Sequence, residues 1–160
     1  MADFAKILLL LLSCNGAPVL VARVMGSHWA APVDGGRHLA DSYPLFGASK
    51  TWRGLAAMLV TGGVVSGLLG YGVCFGLLVA ALAASGDLLS SFCKRRRALE
   101  PSAPCIGLDQ LPESALPSWY AVAVLGLPWI YALTLPLAFV LAQLLLSRPL
   151  FWLHIRKQPY

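Results

Sequence analysis

The chain has 160 residues, of which 58% are hydrophobic and 12% charged, whereas a soluble domain carries about 25% charged residues. With a mean hydropathy of +0.73, this excludes an ordinary soluble or disordered chain and leaves an integral membrane protein of one domain. The formal net charge of +5 sits in a few short segments, so it reads as membrane topology, and no nucleic-acid partner is expected from it.

In chain order, the first apolar segment covers about residues 4–25. Its "KILLLLLSC" resembles a signal-peptide core, and "LLSC" a lipoprotein cleavage box. The only cation before it is Lys6, offset by Asp3, and the apolar run continues through "APVLVARVM". A span of about 20 residues suits a retained membrane helix. A polar loop follows over about 26–54, ending "LFGASKTWRG". Ser49 or Thr51 is a good N-cap for the helix entered there. Lys50 and Arg53 add fixed charges to the free N–H groups and positive dipole end of that helix. Together these form an anion site suited to phosphate. Plain interfacial anchoring by Lys, Trp and Arg is the competing explanation.

The second and third apolar segments cover about 55–70 and 72–92. They are joined at "GLLGYG", which predicts a tight hairpin. Gly63 and Gly67 are four apart, as are Gly72 and Gly76, a spacing that lets helix backbones approach closely. The third segment ends "SGDLLSSFCKRRR". Asp87 near the end of an apolar helix is costly and points to function. Asp87, Ser90, Ser91, Lys94 and Arg95 follow helical three-to-four spacing and share one face. The carboxylate suits Mg²⁺, and Lys94 and Arg95 suit phosphates. The alternative is a local ion pair from Asp87 to Lys94 or an arginine, with "KRRR" as a stop-transfer signal.

The second loop covers about 93–115. Asp109 and Glu113 lie near its end, each either a second metal ligand or a solvated charge. Asp109 is the stronger candidate because it follows the apolar "CIGL". Asp34, Arg37 and Asp41 in the first loop are equally ambiguous. The last two apolar segments cover about 116–133 and 135–153, with Pro128 and Pro136 kinking them or marking their junction. Cys14, Cys74, Cys93 and Cys105 form no CxxC pair, so no zinc site is expected. His28, His38 and His154 are scattered and read as interfacial.

Lysine and arginine fix the orientation. Arg23, Arg37, Lys50 and Arg53 flank or occupy the first loop, Lys94 to Arg97 the second, and Arg148, Arg156 and Lys157 the C-terminal end. With five spans, both loops and the C-terminus fall in the cytoplasm and the N-terminus outside. The fold class expected is all-α: a polytopic protein of the cell membrane whose two cytoplasmic loops form a polar cavity.

Rival motifs fail on their own terms. "GASKT" lacks the glycine before the lysine that a P-loop needs. "DGGR" begins like the aspartate motif of CDP-alcohol phosphotransferases, but the paired aspartates that should follow are missing. No serine-hydrolase or zinc-protease signature is present.

Taken together, "DGGR", "LFGASKTWRG", the Gly-rich helix pair, "GDLLSSFCKRR" and "LDQL" occur in an order and spacing that resemble the CDP-archaeol synthase family. That family is related to the phosphatidate cytidylyltransferases. The resemblance covers nearly the whole chain and implies a five-helix bundle with a cytoplasmic nucleotide-binding cavity. It implies that CTP and a lipid phosphate, archaetidic-type or phosphatidate-type, react in the bilayer with Mg²⁺ to give CDP-lipid and pyrophosphate. The matching residues are Lys50, Thr51, Arg53, Asp87, Ser91, Lys94, Arg95, Arg96 and Asp109. Asp87 and Asp109 take the metal. Lys50, Thr51, Arg53, Ser91, Lys94, Arg95 and Arg96 take the phosphates, with Lys50, Arg53, Asp87, Lys94 and Arg95 carrying catalysis. The chemistry suits this inventory. A lipid phosphate is already anionic, so the task is to bring two polyanions together and stabilise the leaving pyrophosphate. Two other classes remain: a small transporter subunit, and a non-enzymatic scaffold whose basic loops bind anionic lipid.

Overall fold

The computed structural model describes residues 1–99, 105 and 107–152, with side chains described through residue 147. The chain forms five helices: α1 Ala2–Met25, α2 Trp52–Leu68, α3 Val73–Arg96, α4 Gln110–Leu125 and α5 Tyr131–Trp152. Consecutive helices pack as neighbours, and α1 also touches α3, α4 and α5, so the bundle closes around it. Its core is made by Ile7, Leu10, Leu11 and Cys14 of α1 with Phe75 and Val79 of α3, Val122 of α4, and Leu135 and Phe139 of α5.

The outer surface is apolar too. Leu9, Leu20, Val60, Val64, Leu78, Val124, Leu137 and Leu141 are all exposed. On a soluble protein such a surface is an aggregation face; in a bilayer it is the lipid face. The spanning segments pair their backbone groups as helix, as the hydrocarbon requires, and the Ala132 carbonyl, four residues before Pro136, accepts from Trp119 Nε1 at 3.2 Å. At 24 residues each, α1 and α3 are long and apolar enough to cross a membrane, and α2 and residues 131–147 are shorter apolar helices. The all-helical membrane fold expected from composition is the one observed.

The helix boundaries sharpen the sequence reading. Thr51, not Ser49, caps α2: its Oγ1 accepts from the Gly54 N–H at 3.3 Å. The fourth helix starts at Gln110 rather than near 116, and ends at Leu125 because Gly126 takes a left-handed φ of 62°. Leu127 to Ile130 turn the chain, and α5 begins at Tyr131. Pro128 therefore marks the junction, while Pro136 lies buried inside α5. Hydropathy alone runs these two helices together; a left-handed glycine two residues before a proline is the local stop signal that separates them.

The α2–α3 hairpin closes as expected, and its tightest approach uses the expected Gly76, paired with Gly62 rather than with Gly63 or Gly67. A Cβ on Gly76 would lie 2.1 Å from the Gly62 carbonyl oxygen and 2.3 Å from Ser66 Cβ. Neither helix yields without moving its backbone, and such overpacking costs about 1–3 kcal/mol. Gly76→Ala is therefore expected to lower the thermal unfolding midpoint in detergent. Gly16→Ala is the control: nothing lies within 4 Å of the added methyl group, so its midpoint should not fall.

Candidate active site

The site is assembled by the first loop folding against the end of α3. Residues 31–33 run beside 50–52, with Val33 N–H donating to Lys50 O at 2.8 Å and Trp52 N–H to Ala31 O at 3.1 Å. Farther out, Leu45 N–H donates to Arg37 O and Leu39 N–H to Tyr43 O, both at 3.0 Å. The loop is thus a narrow hairpin with two rungs. Between the rungs sits buried Asp34, whose carboxylate accepts from Gly36, Phe46 and Gly47 N–H, each at 2.9 Å. The "DGG" sequence makes this possible, because Gly35 and Gly36 adopt φ of 58° and 76°, a region that favours glycine.

Burial pushes the Asp34 carboxyl up, but the backbone donors from Phe46, Gly47 and Gly36 outweigh it and hold the group below the usual carboxylate range. A depressed folded-state pKa gives stability that is fully present above the unfolded value of about 3.9. That stability is lost as pH falls through the lower folded value. Asp34→Asn is expected to flatten the acid limb of thermal stability. At neutral pH it should cost about 1–3 kcal/mol, because an amide cannot match a carboxylate as acceptor for three donors. Unfolding midpoints of the two proteins across a pH series check this.

The hairpin carries Lys50 to α3. Its Nζ donates to both carboxylate oxygens of Asp87, at 2.5 and 2.6 Å. The partner of Asp87 is therefore a lysine from the other loop, not Lys94 or an arginine on its own helix. Lys94 reaches instead to Asp109, at 2.6 Å. Asp109 is folded inward, as the apolar approach to it suggested: its other oxygen accepts from Cys105 N–H at 3.0 Å, and its charge also acts on Arg95. Ser90, Ser91, Lys94 and Arg95 are all buried. Gly86 explains how α4 comes so near. A Cβ there would lie 2.2 Å from Pro112 O and 2.6 Å from Glu113 Cα, so only a glycine lets the start of α4 seat beside Asp87.

Other predicted residues have structural partners. Thr51 caps α2, and Arg53 donates to the His28 carbonyl. Arg96 turns to the tip of the first loop: it pairs with Asp41 and donates to Pro44 O at 2.8 Å and Tyr43 O at 3.3 Å. Glu113 is buried between α4 and α5, where it accepts from Gln143 Nε2 at 3.2 Å; it is not the solvated charge considered above. Sequence reasoning missed the loop-holding roles of Asp34 and Arg96. The "DGG" turn was the available signal for the first, and nothing local signalled the second.

Among the described residues, no three His, Cys, Asp or Glu side chains gather as a metal cage. Two lysine-paired aspartates nevertheless fit a hard cation such as Mg²⁺, which takes one or two carboxylates and fills its shell with water and phosphate.

No family model matches the chain. Individual relatives do. The CDP-archaeol synthase of Hyperthermus butylicus is 35% identical over 141 residues, 83% of this chain and 81% of that protein. That of Pyrococcus abyssi is 32% identical over 153 residues, 87% and 81% of the two chains. A solved structure described as an intramembrane enzyme for archaeal membrane lipid biosynthesis superposes with a TM-score of 0.71 at 27% identity, covering 87% of this chain and 91% of that one. With its five-helix membrane bundle and the motif residues gathered at one end of α3, the chain belongs to the CDP-archaeol synthase family of membrane nucleotidyltransferases.

Proposed function

We propose that the protein transfers a cytidylyl group from CTP to a lipid glycerol phosphate at the cytoplasmic face of the cell membrane, releasing pyrophosphate. The observation that carries this reading is the double ion pair at the end of α3, Lys50 with Asp87 and Lys94 with Asp109. It sets two cations and two carboxylates at the mouth of an apolar bundle. The nucleophile is an anionic oxygen of the lipid phosphate. It forms a bond to the α-phosphorus of CTP as the bond to the bridging oxygen breaks, and pyrophosphate leaves with that electron pair. No side chain has to remove a proton. The work left to the protein is positioning and charge neutralisation.

Lys50 and Lys94 would exchange their carboxylates for phosphate oxygens when nucleotide binds, and Arg95 would add a buried positive charge to the same region. Arg53 and Ser91 would add further phosphate contacts, and Thr51 fixes the helix start beside Lys50. Asp87 and Asp109, released by the lysines, are the residues that would hold Mg²⁺. When bound, the ion supplies charge neutralisation of the triphosphate. The acceptor class follows the relatives, whose name points to an isoprenoid ether lipid; the apolar walls of the bundle suit ester and ether chains alike. The positive-inside distribution supports both loops lying in the cytoplasm and the N-terminus outside.

The test is an assay of the detergent-purified protein with Mg²⁺, each nucleoside triphosphate in turn, and either phosphatidate or an isoprenoid ether glycerol phosphate. CDP-lipid and pyrophosphate should appear in equal amounts with CTP. Absence of both products with every acceptor would sink the reading.

A further inference from the structure

Arg96 lies in the basic run that the family resemblance assigns to phosphate, yet its donors point elsewhere. One terminal nitrogen pairs with Asp41, the other donates to the carbonyls of Pro44 and Tyr43, and the guanidinium lies 5.3 Å from the Phe92 ring centre. Asp41 is itself built into the loop tip, accepting from Tyr43 N–H at 3.1 Å. The Tyr43 carbonyl that meets Arg96 also accepts the Leu39 N–H of the outer rung. Arg96 therefore reads one side chain and two backbone groups of a single turn, a match that the planar fork of arginine suits and a lysine does not.

The first loop thus meets α3 at two places, Lys50 on Asp87 and Asp41 on Arg96. These are nine residues apart, or two and a half turns at 3.6 residues per turn. Half a turn of that offset means the loop wraps around the end of α3 rather than lying along one face. The outer attachment limits how far the hairpin can swing, and with it the place from which Lys50 reaches the site.

We propose that Arg96 is a positioning residue: with Asp41 it forms a clasp that fastens the tip of the first loop to α3 and so holds Lys50 at the reaction centre, rather than binding phosphate itself. The effect on turnover rests on the cytidylyltransferase reading, but the clasp itself can be measured without it.

Removing Asp41 separates the two roles. If Arg96 bound phosphate, Asp41→Asn would release it for that task and activity would hold or rise. As half of a clasp, Asp41→Asn should lower kcat/KM about tenfold, as Arg96→Gln does. The exchanged pair, Arg96→Asp with Asp41→Arg, should recover to within about threefold of the parent. Hydrogen exchange gives the reading that needs no turnover. Leu39 and Leu45 amides should exchange about tenfold faster in either single variant and return toward the parent rate in the exchanged pair, while α2 amides stay unchanged and report intact folding. Unchanged exchange at Leu39 and Leu45 in Arg96→Gln would overturn the clasp, whether or not the protein proves active. So would full activity in Asp41→Asn beside a tenfold loss in Arg96→Gln.

Discussion

Asp87→Asn is expected to reduce turnover at least a hundredfold without weakening the binding of CTP in the absence of divalent metal. The two halves of that expectation come from one ion pair. Asp87 now holds Lys50 through both carboxylate oxygens, and each side chain is 23% exposed. The pair is thus open enough for a phosphate to compete for the lysine. Taking away the carboxylate charge frees Lys50 for an anion, so the metal-free affinity for CTP should hold or rise. It also removes a candidate ligand of the Mg²⁺ that would neutralise charge on the triphosphate, and losing one such electrostatic contribution costs about 10²–10³ in rate. Lys50→Gln should match the loss in turnover but weaken metal-free CTP binding, by about tenfold for one charge-assisted contact. Calorimetry in EDTA, beside turnover with Mg²⁺, separates the two variants. Equal weakening of CTP binding by both would mean that Lys50 and Asp87 do not exchange partners when nucleotide binds.

How much of this was legible in the sequence depends on the range of the interaction involved. The helices were legible because lipid exposure and a packed core both demand apolar residues, and the "GLLGYG" junction placed the α2–α3 hairpin. Local spacing along α3 also identified Asp87 and Lys94 as worth attention, and the apolar approach "CIGL" identified Asp109. Neither signal identified their partners. Lys50 and Asp87 are 37 residues apart, and three-to-four spacing along α3 suggests Lys94 or an arginine instead. The geometry that overrides it is the hairpin fold of the first loop, held by three N–H groups on Asp34. Each of those bonds is local, but their combined effect is to carry a lysine across to another helix. Arg96 shows the same limit in reverse. Its motif neighbours Lys94 and Arg95 are buried at the site, while one position farther along the helix the side chain leaves on another bearing and meets the loop tip. A helix advances about 100° per residue, so adjacent letters of one basic run need not share a task. The α4 boundary was missed for a different reason. "DQLPES" is polar because it faces the site and the α4–α5 contact, and hydropathy cannot tell such a helical turn from a loop.

The Lys94–Asp109 pair should behave differently from Lys50–Asp87, because its lysine is deeper while its carboxylate, at 27%, is about as open. The Lys94 side chain is only 9% exposed, and Asp109 is tied as well to the backbone at Cys105 and to the charge of Arg95. Removing Asp109 leaves the deeper Lys94 charged and poorly solvated; a fully buried pair loses about 3–5 kcal/mol in this way, and the 27% exposure of Asp109 lowers the cost here to about 1–3 kcal/mol. Removing both together is far milder for the same reason. Lys94→Met and Asp109→Asn are therefore each expected to lower the unfolding midpoint in detergent, and the double variant to recover much of that loss. A double-mutant cycle on thermal stability measures it: the coupling should exceed about 1 kcal/mol, as neighbours sharing one network show. Turnover should not recover with stability. The double variant has lost a candidate phosphate cation and a candidate metal ligand at once, so its activity should remain at least a hundredfold down. Stability restored together with activity would make this pair a structural brace of the α3–α4 junction. Restored stability beside lost activity marks Lys94 and Asp109 as groups whose charges hold the apo protein together and are then redeployed on substrate.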